Sequence, residues 1–259
     1  MELQTTSFTV AAAGHSLYCE SYGQAGNPAV VLLHHGLGSL ESWSEQVAPL
    51  VSAGYYVIAY DRWGYGRSDP RGERISPTFE TDREDLRALL FALSLERVIL
   101  VGHSDGGTIA LYHAAGDPAQ VARLVVVAAH VYIEPRMEAG IEGVRSAYED
   151  RPGFREGLRR LHGDNAQAVF DNWFYGWRRS ENLSWDMRPE LARIACPALV
   201  VQGMEDEHAR PQHARDLAAA IPNAELWLVE GADHMLPQNT PQAFNRRLLD
   251  FLEPAGVGG

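Results

Sequence analysis

Two rhythms of apolar residues alternate along this chain. Ala29–Leu33 (AVVLL), Tyr55–Tyr60, the run that starts at Val98, Leu124–Ala129 and Ala198–Val201 are apolar on nearly every residue, as strands are when helices cover both of their faces. Glu225–Glu230 extends the series. Between these runs the apolar residues take helical spacing: from about Leu40 to Ala53, across Asp82–Leu93 with Leu86, Leu89, Leu90 and Leu93 in step, from about Thr108 to Ala115, across Ala209–Ile221, and from about Pro241 to Leu252. Ahead of them Ser7–Val10 and Leu17–Tyr22 read as two short strands joined across Gly14, an antiparallel hairpin for one sheet edge. This alternation predicts an α/β fold: a mostly parallel sheet wrapped by helices. The rhythm breaks between residues 131 and 189, where helix-like stretches carry Met137, Tyr148, Phe154, Phe170, Trp173, Phe174, Tyr175, Trp177 and Trp185. That interruption is too long for a plain loop and reads as an inserted helical cap. The predicted organisation is core 1–130, cap 131–189 and core 190–259.

Composition narrows the partners. The 259 residues suit one core with an insertion, and a formal charge of −12 argues against nucleic acid or an anionic membrane, since no basic block offsets phosphate repulsion. The N-terminal MELQTTSFTV has neither a basic segment nor a long apolar one, and no run approaches the roughly 20 apolar residues that span a bilayer. A cytoplasmic location is the expectation. Cys19 and Cys196 sit in strand-like apolar settings without spaced Cys or His neighbours, so reduced packing thiols are expected.

Chemistry concentrates where strands end. The Val98 run passes directly into Gly102-His103-Ser104-Asp105-Gly106 and then into a helical pattern. A serine held on so sharp a turn, with small residues two before and two after it, presents its hydroxyl above the sheet edge. The bland alternative is that Ser104 merely caps the following helix. A nucleophilic serine needs a base and an acid at the same edge, the carboxyl ends of the parallel strands. Ala198–Val201 runs into Gly203-Met204-Glu205-Asp206-Glu207, and Glu225–Glu230 runs into Gly231-Ala232-Asp233-His234. Ser104, Asp206 and His234 therefore follow one another in the order nucleophile, acid, base.

With these pieces the chain resembles the α/β-hydrolase superfamily along nearly its whole length. The matching segments are the elbow Gly102–Gly106, His35-Gly36-Leu37-Gly38, the loop from Asp61 to Asp69, Gly203-x-x-Asp206 and Gly231-x-x-His234. The resemblance implies an eight-stranded, mostly parallel sheet with a cap. It also implies Ser104 as nucleophile, His234 as general base and acid, and Asp206 as the residue that orients His234. The backbone amides of Leu37 and Asp105 would be the oxyanion donors. Some members carry the acid after the preceding strand, where this chain offers Glu134. His34 and His35 are expected to fix the oxyanion loop. His103, His113, His130, His162, His208 and His213 show no metal-ligand pairing and are expected to be structural or superficial. Asp105 is explained by the helix dipole, which favours an acid in the first turn by about 0.3–1 kcal/mol. A sharper account has it pair with a cationic or donor group of the substrate, as the Ser-Asp-Gly-Gly elbow of valacyclovir-hydrolase-like members implies.

The cap aromatics are helix core by their spacing, yet a cap over the cleft must also face it. Trp173, Phe174, Trp177 and Trp185 are the candidates to line an apolar pocket, with Trp43 and Trp63 nearer the oxyanion side. The expected activity is that of a serine hydrolase without cofactor or metal, cleaving a small carboxylic ester or lactone through an acyl-enzyme at Ser104. Alternatives on the same fold are carbon–carbon bond hydrolysis and a perhydrolase or haloperoxidase-like reaction. A non-enzymatic ligand receptor is the alternative from another class. Oligomeric state is not legible.

Overall fold

The computed structural model describes residues 4–72 and 74–253; residues 1–3, Glu73 and residues 254–259 lie outside the described residues. In chain order the elements are β1 (Thr5–Ala12), β2 (His15–Tyr22), β3 (Ala29–Leu33), α1 (Ser44–Ser52), β4 (Tyr56–Tyr60), α2 (Glu80–Ala92), β5 (Val98–His103), α3 (Asp105–Gly116) and β6 (Val121–Val127). Then come α4 (Pro135–Asp150), α5 (Pro152–His162), α6 (Ala166–Trp177), α7 (Arg188–Leu191), β7 (Ala198–Gly203), α8 (Gln212–Ala220), β8 (Ala224–Val229), α9 (Leu236–Asn239) and α10 (Pro241–Leu252).

The eight strands form one sheet in the order β1-β2-β4-β3-β5-β6-β7-β8. β2 is antiparallel to β1 and to β4, and every other pairing is parallel. The β1–β2 hairpin closes on Ala13 and Gly14, both at positive φ (43° and 93°), the twist that a two-residue hairpin turn needs. β3 and β5 are buried at every residue, which is why their sequences do not alternate. Val31, Leu33, Leu100 and Val126 pack with Leu86, Leu89 and Ile109 of α2 and α3. Their neighbours Val30, Leu32, Val101 and Val125 pack with Val47, Leu50, Phe244 and Leu248 of α1 and α10. Successive residues thus serve opposite faces, and each face has its own apolar layer.

Register decides where chemistry can gather. Leu33 lies beside Gly102, His103 beside Val127, Val127 beside Val201 and Gly203 beside Val229. The carboxyl ends of β3, β5, β6, β7 and β8 consequently share one edge, and the chain beyond each emerges there.

Three of the boundaries that differ from the sequence expectation have a local cause. The helix expected from Leu40 to Ala53 splits into a 3₁₀ turn, Leu40–Trp43, and α1, the turn being pinned by the Leu40 N–H donating to Asp61 Oδ1 at 2.8 Å. β6 ends at Val127 because Ala128 takes a φ of 51° and turns the chain away. α8 starts at Gln212 rather than Ala209, directly after Pro211, a residue that disfavours helical conformation in the one before it.

The 131–189 stretch contains α4, α5, α6 and the start of α7. Its two ends are laced together where Met187 N–H donates to Val131 O (2.9 Å) and Ile133 N–H to Trp185 O (3.3 Å). It reaches back to the loop after β4 through Asn165, which donates to Gly64 O, and Asn172, which donates to Arg71 O. No helix among the described residues is long and apolar enough to cross a membrane.

Candidate active site

Ser104 occupies the turn between β5 and α3 with φ 53° and ψ −119°. A non-glycine residue there costs on the order of 1–3 kcal/mol and persists only when its surroundings over-determine it. Here they do: the Ser104 N–H donates to Val127 O at 2.8 Å, and its carbonyl accepts from the Thr108 N–H at 3.0 Å. The glycines follow from crowding, since a Cβ on Gly102 would run into the Gly106 carbonyl and one on Gly106 into the Leu33 carbonyl. Although Ser104 stands at the N-cap position, its side chain makes no capping bond. Its Oγ instead lies 3.0 Å from His234 Nε2.

His234 Nδ1 is 2.8 Å from Asp206 Oδ2, an oxygen that also accepts from Gln202 Nε2 at 2.6 Å. Asp206 Oδ1 accepts the N–H groups of His208 (2.7 Å) and Ala209 (3.0 Å). Burial would raise this carboxyl, but the positive charge of His234 and the convergent donors outweigh it and hold Asp206 well below the usual carboxylate range. Burial likewise opposes charge on His234, yet Asp206 raises its pKa above the ordinary value. Glu134, the alternative acid, points elsewhere: Oε2 accepts from Arg210 Nε at 2.6 Å, and Oε1 lies 3.3 Å from His213 Nε2.

Other histidines crowd this centre. The ring of His208 is 4.6 Å from that of His234, His103 5.2 Å and His130 6.1 Å, and His103 Nε2 donates to the His234 carbonyl. Burial lowers the pKa of each neighbour, to about 4 for His208. His234 alone in this group is raised, so a proton that arrives here settles on the ring beside Ser104. Opposed shifts of this kind mark acid–base sites. His130 and His208, expected to be structural or superficial, line the cavity described below. They follow β6 and β7, so the strand-end rule that selects His234 also reaches them.

The loop after β3 carries Leu37 at φ 64°. His35 Nδ1–H donates to Gly36 O (2.6 Å), and its Nε2 accepts from Ser42 Oγ. His34 Nδ1–H donates to His35 O while its Nε2 accepts the Arg62 N–H. Both side chains thus hold the loop, as expected. The Asp105 N–H opens α3 and so has no acceptor within the helix. Leu37, Ser104 and Asp105 border a common cavity.

That cavity, about 890 Å³, is roofed by Met137, Ile141 and Val144 of α4, Leu158 of α5, and Trp173 and Trp177 of α6. Trp173 and Trp177 stand one helical turn apart on one face. Phe174 and Trp185 do not line it, against expectation. Phe174 belongs to the next face of α6, stacked on Phe170 at 5.6 Å, while Trp185 packs behind Trp177 and donates Nε1–H to Tyr112 Oη at 2.8 Å. Trp43 is fully buried beneath the sheet, and Trp63 stacks on His15; neither reaches the cavity. Asp105 does border it, but its Oδ2 lies 3.4 Å from Arg62 Nη2, with both side chains almost wholly buried. Burial raises the Asp105 pKa against the opposing pull of Arg62.

A sheet of this order, with a strained serine after its central strand and a histidine and a carboxylate after two later ones, defines an α/β enzyme of hydrolase type. The model of the alpha/beta hydrolase family matches residues 30–247, and the chain belongs to that family. It is 33% identical to serine hydrolase BPHL of Homo sapiens over 96% of this chain and 87% of that one. It is 30% identical to the 2-hydroxy-6-oxononadienedioate/2-hydroxy-6-oxononatrienedioate hydrolase of Paraburkholderia xenovorans (strain LB400), over 97% and 96%. The crystal structure of the enol-lactonase from Burkholderia xenovorans LB400 superposes with a TM-score of 0.79 at 25% identity, covering 95% of this chain and 99% of that one.

Proposed function

We propose that this hydrolase cleaves a small carboxylic ester or lactone through an acyl-enzyme at Ser104. The observation that carries the reading is the line Ser104 Oγ, His234 Nε2, His234 Nδ1, Asp206 Oδ2, with steps of 3.0 and 2.8 Å, opening on an apolar cavity. Ser104 Oγ attacks the carbonyl carbon as His234 Nε2 takes its proton. The carbonyl oxygen becomes an oxyanion and receives the Leu37 and Asp105 N–H groups, each such donor contributing about 100- to 1000-fold in rate. Collapse expels the alkoxide, which His234 protonates. Water, deprotonated by His234, then releases the acid and restores Ser104. Asp206 keeps the His234 proton on Nδ1, so that Nε2 is free to act as base.

The test is the initial rate on p-nitrophenyl esters from acetate to decanoate and on a set of lactones, beside Ser104→Ala. Turnover that the variant abolishes is expected, and no turnover above the variant overturns the reading. The relative named as a dienedioate hydrolase favours a second reading, in which the same serine and histidine hydrolyse a carbon–carbon bond next to a ketone. Turnover of a vinylogous diketone without turnover of esters selects it. The Asp105 carboxylate on the cavity wall supports one refinement, an acyl group bearing an ammonium. Asp105→Asn would then cost amine-bearing esters at least about tenfold more than neutral ones; equal losses assign the carboxylate to its protein partners, Arg62 and Trp177.

A further inference from the structure

His162 ends α5 and is almost fully buried, far in sequence from Ser104, Asp206 and His234. Its ring bridges two loops of the sheet edge. Nε2–H donates to the Leu37 carbonyl at 3.0 Å, and Nδ1 accepts the Gly66 N–H at 2.9 Å. Tyr65 packs edge-on against the ring at 6.0 Å between centroids. Burial lowers its pKa, which suits the neutral tautomer: an imidazolium would set a second N–H against the Gly66 N–H.

The Leu37 carbonyl is one of two that flank the left-handed Leu37. The other, Gly36 O, accepts from His35 Nδ1–H at 2.6 Å. The Gly36–Leu37 peptide carries the Leu37 N–H, and the Leu37–Gly38 peptide carries the carbonyl that His162 holds. A non-glycine residue at φ 64° relaxes unless both adjoining peptide planes are fixed. His35 fixes one plane from within the loop, and His162 fixes the other from the helices above.

We infer that His162 is a positioning residue, through which α5 holds the Leu37 amide in the direction an oxyanion requires. The inference rests on the serine-hydrolase reading. It ties the helices that roof the cavity to the rate of the chemical step: a shift of α5 moves the Leu37 peptide as well as the cavity wall.

The experiment compares His162→Gln with His162→Asn, beside His162→Ala, the wild type and Ser104→Ala, on a short p-nitrophenyl ester and its thiono analogue. Glutamine can place an N–H where Nε2 sits and an oxygen toward Gly66. Asparagine reaches Gly66 but falls short of Leu37. Expected are a kcat within about threefold of wild type for the glutamine variant and a kcat lower by at least about tenfold for the asparagine variant, with KM little changed, because a misdirected donor forfeits transition-state rather than ground-state binding. The preference for the oxygen ester over the thiono ester, whose sulfur accepts hydrogen bonds poorly, should shrink with it, an effect that general destabilisation does not produce. His162→Ala should match the asparagine variant; if it does not fold, the other pair still decides. Equal kcat and equal oxygen-to-sulfur preference in the asparagine and glutamine variants overturn the inference alone. A wild type no faster than Ser104→Ala overturns the hydrolase reading and the inference with it.

Discussion

Asp206→Asn is nearly isosteric, yet it inverts one hydrogen bond on which the proposed chemistry depends. Oδ1 accepts two backbone N–H groups, of His208 and Ala209, and these cannot turn round. The oxygen of the new carboxamide therefore stays on that side, and its NH₂ replaces Oδ2, facing both Gln202 Nε2 and His234 Nδ1. Gln202 can rotate its amide, because its Oε1 is buried without a partner and would accept from the NH₂. His234 can answer only by moving its proton to Nε2, where it points at Ser104 Oγ and cannot accept the serine proton. The fold should lose only about 1–3 kcal/mol, the worth of a charge-assisted hydrogen bond. The rate should fall on the order of 10⁴-fold, as when a triad histidine is held in the wrong tautomer, which is roughly 5.4 kcal/mol at about 1.36 per decade. Initial rates on p-nitrophenyl butyrate from pH 5 to 9, with thermal melts of both proteins, measure the two quantities separately. Because Asp206 raises the His234 pKa, wild-type kcat/KM should be lost as pH falls through a midpoint above the ordinary histidine value, and any residual limb of the variant should move to lower pH. A variant that keeps wild-type turnover within tenfold refutes the assignment, and Glu134→Gln would then be the next substitution to make.

Three further outcomes follow from local geometry. At Ser104, φ 53° should reverse the usual helix preference, leaving Ser104→Gly at least as stable as Ser104→Ala, by about 1 kcal/mol, with turnover absent in both; an alanine variant that melts clearly higher would refute the strain argument. A Cβ on Gly157 of α5 meets nothing within 4 Å, and the residue lines the cavity, so Gly157→Leu should shorten the preferred acyl chain by about three carbons while leaving acetate turnover intact; an unchanged chain-length profile would show that the acyl group lies elsewhere. His35 and His208 are held near 4 by burial, and His34, His103 and His130 are also lowered, so between about pH 6.5 and pH 4 the unfolded chain binds more protons at these rings and stability is lost as pH falls. Asp61, raised by burial to about 6, and Asp105 and His234, raised in the same direction, act with opposite sign but are outnumbered, so the urea midpoint should be lower at pH 5 than at pH 7, and an equal or higher midpoint would contradict the burial of these rings.

How far the sequence carries depends on how many constraints a residue faces. β3 and β5 are covered on both faces, so every position must be apolar, and AVVLL and VILV were legible as strands for that reason. The parallel register then sends the carboxyl ends of β3, β5, β6, β7 and β8 to one edge, which is why Ser104, Asp206 and His234 could be grouped from their places just past strand ends. Helix orientation is a different matter. In α6 the pairs Phe170/Phe174 and Trp173/Trp177 have the same spacing, and the pattern alone does not say which pair faces the cavity. Tyr148 of α4 settles it by stacking on Phe170 at 3.9 Å, a contact between residues whose separation in sequence carries no periodic signal. Trp185 escapes the pattern for the same reason, its indole N–H being claimed by Tyr112 of α3. The left-handed Leu37 and the bridging His162 were invisible because backbone strain and a pair of long-range hydrogen bonds leave no pattern in composition.

The division has a functional corollary. Of the groups assigned to bond-making in the proposed mechanism, Ser104 and Asp206 follow β5 and β7, strands buried at every residue, while His234 follows the partly exposed edge strand β8 and is placed by its register with β7. The residues that shape the cavity sit on α4, α5 and α6, where each helix has one packed face and another toward the cavity, and where a change such as Gly157→Leu alters volume without disturbing a neighbour. Substrate choice can therefore drift by substitutions in 131–189 while the sheet edge keeps its geometry, except where the two are tied. His162 is such a tie, and so are Asn165 and Asn172 on the loop after β4. Substitutions at these three positions should change the chemical step as well as specificity, whereas those at Gly143 or Gly157, which touch only open cavity, should change specificity alone.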